Sequence, residues 1–423
     1  MTNKLFSDFD LAPQIQAAIK KTGYETPTPI QQEAIPHLLL NKDLIGCAQT
    51  GTGKTAAFAL PLIHKMALNK KSRISKNTSA LILTPTRELA VQIYDNFRQY
   101  GEGLPIKVAL AYGGVAIGPQ IKLLHDGVDI LIATPGRLLD LMQQNKLTLK
   151  SVETFILDEA DRMLDMGFIA DIKKVIANLP RQRQTVLFSA TMAQEIEKLA
   201  QTLMQNPIRI NVAPPATTVE KVNQSVMYVE TSQKRDLLRS LLLKPEFKRV
   251  IVFTRTKHGA NRVAEVLNKN RVKCDAIHGN KSQNARQRSL DNLKTGSIQV
   301  LIATDVAARG IDIDHITHVI NYDVPNIVEN YVHRIGRTAR AGTEGVAISF
   351  CDVEEKAYIQ DIEKTIKMSI PVDKKHPYHS MKVEQAKILS KGKAKAEIEK
   401  SSQERRHKYK KLRKVFGKRN PLK

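Results

Sequence analysis

No stretch of this 423-residue chain approaches the roughly 18 uninterrupted apolar residues that a membrane-spanning helix requires, although 42% of its residues are hydrophobic. A soluble globular protein with no membrane contact is therefore expected. Cysteine is scarce: Cys47, Cys274 and Cys351 are isolated, odd in number, without metal-ligand spacing and flanked by apolar or small residues. That excludes a disulfide framework or a zinc cluster and leaves three small core residues. The amino terminus, MTNKLFSDFD, lacks the basic start and apolar run of an export signal, so the cytoplasm is the expected location. Acidic residues are also in deficit, 42 against 66 Lys and Arg, for a formal charge of +24. Such a surplus points to a polyanionic partner. From Lys374 to Lys423 there are 18 Lys or Arg against 4 Glu, a net of +14 that leaves +10 for everything before it. With almost no aromatics and little apolar periodicity, this tail is expected to be disordered or a fraying helix that contacts nucleic acid.

The length suits two or three domains. Short runs rich in Ile, Val and Leu alternate with segments of helical period: DLIGCA, ALILTP, VDILIATP, VETFILDE, TVLFSAT and IRINV, then SVMYVE, RVIVFT, VKCDAIH, IQVLIAT, HITHVINY and EGVAISF. Continuous apolar strands separated by amphipathic helices predict parallel sheets covered on both faces. The array occurs twice, around "NVAPPATTVEKV", whose prolines and threonines lack periodicity. Two α/β domains in tandem follow, at 1–212 and 220–373, joined by a linker at 213–219 and followed by a basic tail at 374–423. In open parallel sheets ligands gather beyond the carboxyl ends of the strands. The polar residues that end the runs are the candidates for chemistry.

"AQTGTGKTAAF" follows the run DLIGCA and precedes a helical stretch. Its loop of Ala48, Gln49, Thr50, Gly51, Thr52 and Gly53 can wrap phosphate oxygens with backbone N–H groups, while Lys54 adds positive charge and the Thr55 hydroxyl can ligate magnesium. Ala48 occupies the motif's first position, where glycine is usual. A second run, FIL, ends in Asp158, Glu159 and Asp161. Clustered carboxylates repel one another unless a cation sits among them, and a Mg2+ ion between nucleotide phosphates, Thr55 and Asp158 would supply it. Glu159 then lies where it can orient or deprotonate an attacking water. Asp161 is free to hold neighbouring loops. Alone, the three acids would read as the solvated start of a helix; beside the lysine loop they read as a phosphate site.

The order of these elements resembles the DEAD-box family of ATP-dependent RNA helicases over roughly residues 5–370. The tetrapeptide Asp158-Glu159-Ala160-Asp161 is the one that names the family. The resemblance implies two RecA-like domains, ATP and Mg2+ as cofactors, and RNA as partner. "GYETPTPIQ" looks like the adenine-reading motif, with Gln31 as the amide on the adenine edge and Phe6 as the stacking aromatic. "PTREL", the glycine pair ending in Gly114, and "TPGR" match the RNA-contacting loops of the first domain, which brings in Pro85, Thr86, Arg87, Thr134, Pro135 and Arg137. "SAT" at 189–191 matches the motif linking hydrolysis to strand opening. In the second domain "VFTRTK", "QNAR", "ATDVAARGID" and "HRIGRTAR" complete the set, implying RNA contacts at Arg255, Gly279, Gln283, Arg286 and Thr304 and placing Asp305 near the ribose. Arg337 and Arg340, three apart, are the implied arginine fingers on the γ-phosphate, with His333 and Arg334 coupling them to the other domain. Loops of Thr, Gly, Arg and backbone amides bind phosphates and 2′-hydroxyls without reading bases.

"VFTRTKHGAN" and "IHGNKSQNAR" resemble the bacterial RhlE-like subgroup, and ribosome-assembly or RNA-degradation complexes are the implied settings. Two residues depart from the pattern. Ala339 replaces the last glycine of "HRIGRTGR", at a cost of about 1 kcal/mol if the backbone there needs positive φ but with a gain if it is helical. Leu293 stands where phenylalanine is common and reads as a core substitution. A translocating DNA helicase shares the two-domain plan, and a nonenzymatic RNA clamp is opposed by the presence of Glu159, Arg337 and Arg340.

Overall fold

The computed structural model describes residues 4–48, 51–68, 72–212, 222–308, 316–339 and 345–388. The chain divides into two compact units, Met1–Ala216 and Thr217–Lys423. The expected linker at 213–219 lies outside the described residues.

In the first unit seven strands form one sheet: β1 (Leu44–Cys47), β2 (Thr78–Leu83), β3 (Val108–Ala111), β4 (Val128–Ala133), β5 (Thr154–Leu157), β6 (Gln184–Ser189) and β7 (Ile208–Asn211). Their order is β3-β4-β2-β5-β6-β1-β7, and every pairing is parallel. Side chains alternate across a strand, so Ala80 and Ile82 of β2 enter one core while Leu81 and Leu83 enter the other. Each face is covered by helices, and each fully buried Leu, Ile or Phe contributes about 1.5–3 kcal/mol of transfer free energy. Six of these strands match the apolar runs of the sequence. The seventh, β3, is an edge strand whose Val108 and Leu110 are only partly buried and whose other two residues are alanines. Half-exposed, small-residue edges carry a weak hydrophobic signal.

The second unit holds β8 (Val222–Tyr228), β9 (Val250–Phe253), β10 (Cys274–Ile277), β11 (Val300–Ala303), β12 (His318–Asn321) and β13 (Gly345–Cys351), in the parallel order β10-β11-β9-β12-β13-β8. Here too the strands feed two cores, Val250 and Val252 into one and Ile251 and Phe253 into the other. Leu293 is fully buried in the second of these, as its reading as a core residue requires. Cys274 and Cys351 are buried and Cys47 partly so, all three unpaired. Among the described residues no helix is long and apolar enough to cross a membrane.

One expectation needs correction. Residues 374–388, assigned above to the tail, pack on the second unit. Val372 bridges Val226, the Asp373 N–H donates to the Val226 carbonyl at 2.9 Å, and the Ser380 N–H donates to that of Tyr228 at 3.0 Å. A short helix, Met381–Gln385, follows, with Val383 buried and Lys356 donating to the Glu384 and Ala386 carbonyls at 2.7 Å each. Single apolar anchors among lysines leave composition unchanged, which is why the segment reads as featureless. Residues 389–423 lie outside the described residues.

Candidate active site

Because every strand of the first sheet runs the same way, all its carboxyl ends open on one edge. The strand order then sorts the loops. β5, β6 and β1 are neighbours, so Asp158, the SAT loop and the lysine loop adjoin; β3, β4 and β2 are neighbours, so the loops carrying Gly114, Thr134 and Arg87 adjoin.

Lys54 opens the helix Lys54–Leu68 and is only 6% exposed, its ammonium donating to the Ala48 carbonyl at 2.9 Å. Thr55, in the same first turn, is half-buried. Gln49 and Thr50 lie outside the described residues. Gly51 and Gly53 have φ of 85° and 89°, and a Cβ at Gly53 would sit 2.3 Å from Gln31 Nε2, so both conformation and close approach require glycine there. Gln31 itself is buried and uses both ends of its amide. Its Oε1 accepts from the Thr28 N–H at 2.8 Å, capping the helix Pro29–Leu39, while its Nε2 donates to the Gly53 carbonyl at 3.0 Å. The Thr28 hydroxyl donates to the Thr52 carbonyl at 2.7 Å. The residue expected to read adenine therefore also grips the phosphate loop. Each end keeps one hydrogen-bonding position, a second N–H and a second lone pair. Phe6 is 3% exposed and its ring stacks on Tyr24, which is 44% exposed. Tyr24 is the more exposed ring of the pair.

Asp158 is 2% exposed, its N–H donating to the Leu83 carbonyl at 3.0 Å and its Oδ1 accepting from the Glu159 N–H at 2.9 Å. Burial pushes its carboxyl up to about 6; Lys54 opposes the shift and the Glu159 carboxylate adds to it. Glu159 adopts φ 55°, a left-handed conformation costing a non-glycine residue about 1–2 kcal/mol and found where function over-determines the backbone. Its carboxylate is buried and ion-paired to Arg162 at 2.5 Å. Arg162 was not singled out from the sequence, although the i, i+3 spacing of opposite charges is a readable signal. Asp161 Oδ2 accepts from the Ala190 N–H at 3.1 Å, the Thr191 N–H at 2.9 Å and the Thr191 hydroxyl at 3.1 Å. It ties the carboxylate loop to the SAT loop.

Across the same edge, Thr86 caps the helix Arg87–Tyr100, accepting from the Leu89 N–H at 3.3 Å, and Pro85 before it is buried. The Arg87 guanidinium lies over Gly114, where φ is 78° and a Cβ would be 1.9 Å from the nearer Nη atom. Thr134 and Pro135 start the helix Pro135–Gln143, and Arg137 donates to the Val115 carbonyl at 3.0 Å. Three loops distant in sequence are thus pinned to one another by two arginines.

Residues 28–199 match the DEAD/DEAH box helicase family model, and residues 233–342 match that of the helicase conserved C-terminal domain. The chain is 45% identical over 362 residues to the DEAD-box ATP-dependent RNA helicase CshA of Bacillus subtilis, spanning 86% of this chain and 72% of that one. The chain belongs to the DEAD-box ATP-dependent RNA helicases. It is also 43% identical to the ATP-dependent RNA helicase DeaD of Buchnera aphidicola, over 87% of this chain and 60% of that one. Among solved structures it is similar to Saccharomyces cerevisiae Dbp5 bound to RNA and ADP BeF3, with a TM-score of 0.78 and 31% identity over 87% of this chain and 95% of that chain.

The second unit of this DEAD-box helicase repeats the sorting of loops. β10, β11 and β9 are neighbours, so Gly279, Thr304 and Arg255 follow adjacent strands, with Arg286 on the helix Gln283–Thr295. Nothing is described of the Gln283 side chain. Arg337 is 7% exposed and donates through Nε to the His333 carbonyl at 3.2 Å. Arg340 lies outside the described residues. Asp305, expected near the ribose, accepts both arms of Arg334, at 2.6 and 2.9 Å. Within its own unit Arg334 donates also to Asn321 Oδ1 at 3.1 Å and the Asp323 carbonyl at 2.7 Å. Ala339 has φ 55°, so of the two outcomes considered for this departure the strained one holds, at about 1 kcal/mol relative to glycine.

Proposed function

We infer that this chain is an RNA-stimulated ATPase that separates short RNA duplexes, or remodels ribonucleoprotein, through domain closure. One observation carries the reading: the nucleotide-type loops beyond β1, β5 and β6 and the RNA-type loops beyond β2, β3 and β4 share one sheet edge and meet where Asp158 donates to Leu83, two residues before Pro85. The two sets of loops are thereby joined through the β2–β5 pairing.

In this reading Ala48 to Thr55 cradle the phosphates of ATP, Gln31 reads adenine beside Phe6, and Asp305 meets the ribose. Thr55 and Asp158 hold Mg2+; their oxygens suit a hard cation, and a buried carboxylate beside two others favours one. When bound, that ion neutralises phosphate charge. Glu159 orients and deprotonates water, and Arg337 and Arg340 stabilise charge on the γ-phosphate. Pro85, Thr86, Arg87, Gly114, Thr134, Pro135 and Arg137 in the first unit, with Arg255, Gly279, Gln283, Arg286 and Thr304 in the second, grip the RNA backbone. If ATP and RNA both favour the closed form, each strengthens binding of the other by linkage. The RhlE-like segments and a place in ribosome-assembly or RNA-degradation complexes belong to the same proposal and rest on resemblance alone, and a cytoplasmic location belongs to it as well.

The test compares ATP hydrolysis without nucleic acid, with single-stranded RNA and with DNA of equal length and sequence. RNA is expected to stimulate turnover well above DNA. Equal stimulation by DNA would favour the translocating DNA helicase, and absence of turnover with RNA would favour the clamp.

The basic segment gives a separate expectation. Because residues 374–388 are packed, the informative truncation ends at Ile388. It removes 14 of the 18 Lys and Arg in the last fifty residues. If the removed segment contacts RNA, log affinity loses about 0.7 of salt slope for each phosphate released from contact. RNA binding at low salt should weaken while maximal ATPase at saturating RNA stays near wild type. An unchanged salt slope would assign the segment to solubility or to a protein partner.

A further inference from the structure

We propose that Glu355, held by Lys234, is a positioning residue that aims the Arg255 guanidinium at the RNA backbone. The inference rests on the reading of Arg255 as an RNA contact. Arg255 follows β9 and its side chain is 31% exposed, yet it is held at both ends: one Nη donates to Glu355 Oε1 at 2.9 Å and to the Val324 carbonyl at 3.3 Å, and the backbone N–H donates to Asp323 Oδ2 at 2.7 Å. Glu355 sits in the 3-10 turn Val353–Glu355 beyond β13, and its side chain is 2% exposed. Its Oε1 also accepts from the Val324 N–H at 3.1 Å, and its Oε2 from Lys234 at 2.6 Å and the Asp352 N–H at 3.3 Å. Lys234, 1% exposed on the helix Lys234–Leu242, donates besides to the Tyr322 carbonyl at 3.1 Å.

Stability does not account for this cluster. A buried ion pair loses as much in desolvation as it gains in attraction, and apolar residues of equal volume often serve the fold as well. Burial pushes the Glu355 carboxyl up to about 7, with Asp352 adding to the shift while Lys234 and Arg255 oppose it, so its charge depends on the two cations. What distinguishes the cluster is that one member reaches solvent. A long arginine that must order itself on binding loses rotamer freedom; one already braced by a carboxylate loses less. The residues come from the carboxyl ends of β9, β12 and β13, which are adjacent, so the brace lies beside the strands whose loops carry the RNA-type residues.

The experiment measures affinity for a short labelled single-stranded RNA, the RNA concentration giving half-maximal ATPase, and thermal melting, all on the full chain. Lys234→Met with Glu355→Gln removes both charges of the Lys234–Glu355 pair and leaves net charge unchanged, at the cost of the Asp352 carboxylate's 3.6 Å contact with Lys234. Glu355→Asp keeps the buried charge but draws the carboxylate back by one methylene from Arg255 and Lys234, and covers the case in which the paired change unfolds the protein. RNA affinity is expected to fall about tenfold in either, the factor associated with ordering one long side chain. The half-maximal RNA concentration should rise in step, with kcat at saturating RNA and KM for ATP unchanged. Adding Arg255→Ala should then cost little more, because the brace acts through Arg255. Wild-type RNA affinity in both folded variants, or losses that add fully to that of Arg255→Ala, would overturn the proposal. If Arg255→Ala alone leaves RNA affinity intact, the reading of Arg255 fails, and the inference with it.

Discussion

Replacing Glu159 with glutamine should leave ATP binding in place and lower RNA-stimulated hydrolysis by about 100-fold or more. Glutamine has the same shape, and its carbonyl oxygen can still accept from Arg162, although a neutral acceptor binds a guanidinium about half as strongly as a carboxylate does. What disappears is the base. The left-handed backbone at Glu159 is set by the turn from β5 into the helix Ala160–Asp165, and it is not altered by the exchange of one terminal oxygen for nitrogen. Asp158 keeps its hydrogen bond from the backbone N–H of residue 159. Binding of a fluorescent ATP analogue and single-turnover hydrolysis with saturating RNA separate the two effects. Near-normal single-turnover rates would remove Glu159 from the chemistry; lost binding would mean that Arg162, left without its full partner, had disturbed the loop.

The sequence revealed much of this site because parallel α/β folds put chemistry where apolar runs end. Lys54, Asp158 and Asp161 are legible in the sequence, since a strand followed by a glycine-rich loop ending in Gly-Lys-Thr has few other uses, and clustered acids beside that loop cease to read as the solvated start of a helix. Other features depended on topology. That the loops at 85–87, 113–115 and 134–137 adjoin follows from the order β3-β4-β2, which requires an edge strand too short and too exposed to be read from its residues. Phe6 was legible as an aromatic and illegible as a buried one, because burial there is decided by Tyr24 and Phe9 folding over it. The Asp305–Arg334 pair joins residues 29 apart, and neither periodicity nor spacing announces such a contact. The packing of 374–388 was hidden for the opposite reason: four lysines outweigh one buried valine in any composition count.

Gln31→Ala should weaken ATP binding by about 10–100-fold and narrow the preference for ATP over GTP, and the structure gives two separable reasons. The first is recognition. An amide presents a donor and an acceptor together, which matches adenine, and a buried amide left without its partner is worth about 1–3 kcal/mol. The second is support. The same amide caps the helix Pro29–Leu39 through Thr28 and holds the Gly53 carbonyl, so alanine removes a cap worth about 0.5–2 kcal/mol and releases a loop whose glycine conformation depends on it. Gln31→Glu distinguishes them. Glutamate retains the oxygen that accepts from Thr28 but turns a second oxygen toward the Gly53 carbonyl, so the helix stays capped while the loop is repelled and the donor to adenine is lost. Thermal melting should therefore fall for alanine more than for glutamate, whereas ATP affinity should fall for both. Isothermal titration with ATP and GTP, set beside melting curves of the three proteins, reads each quantity. If both variants keep wild-type ATP affinity and wild-type preference over GTP, Gln31 is a helix cap alone, and adenine is chosen elsewhere.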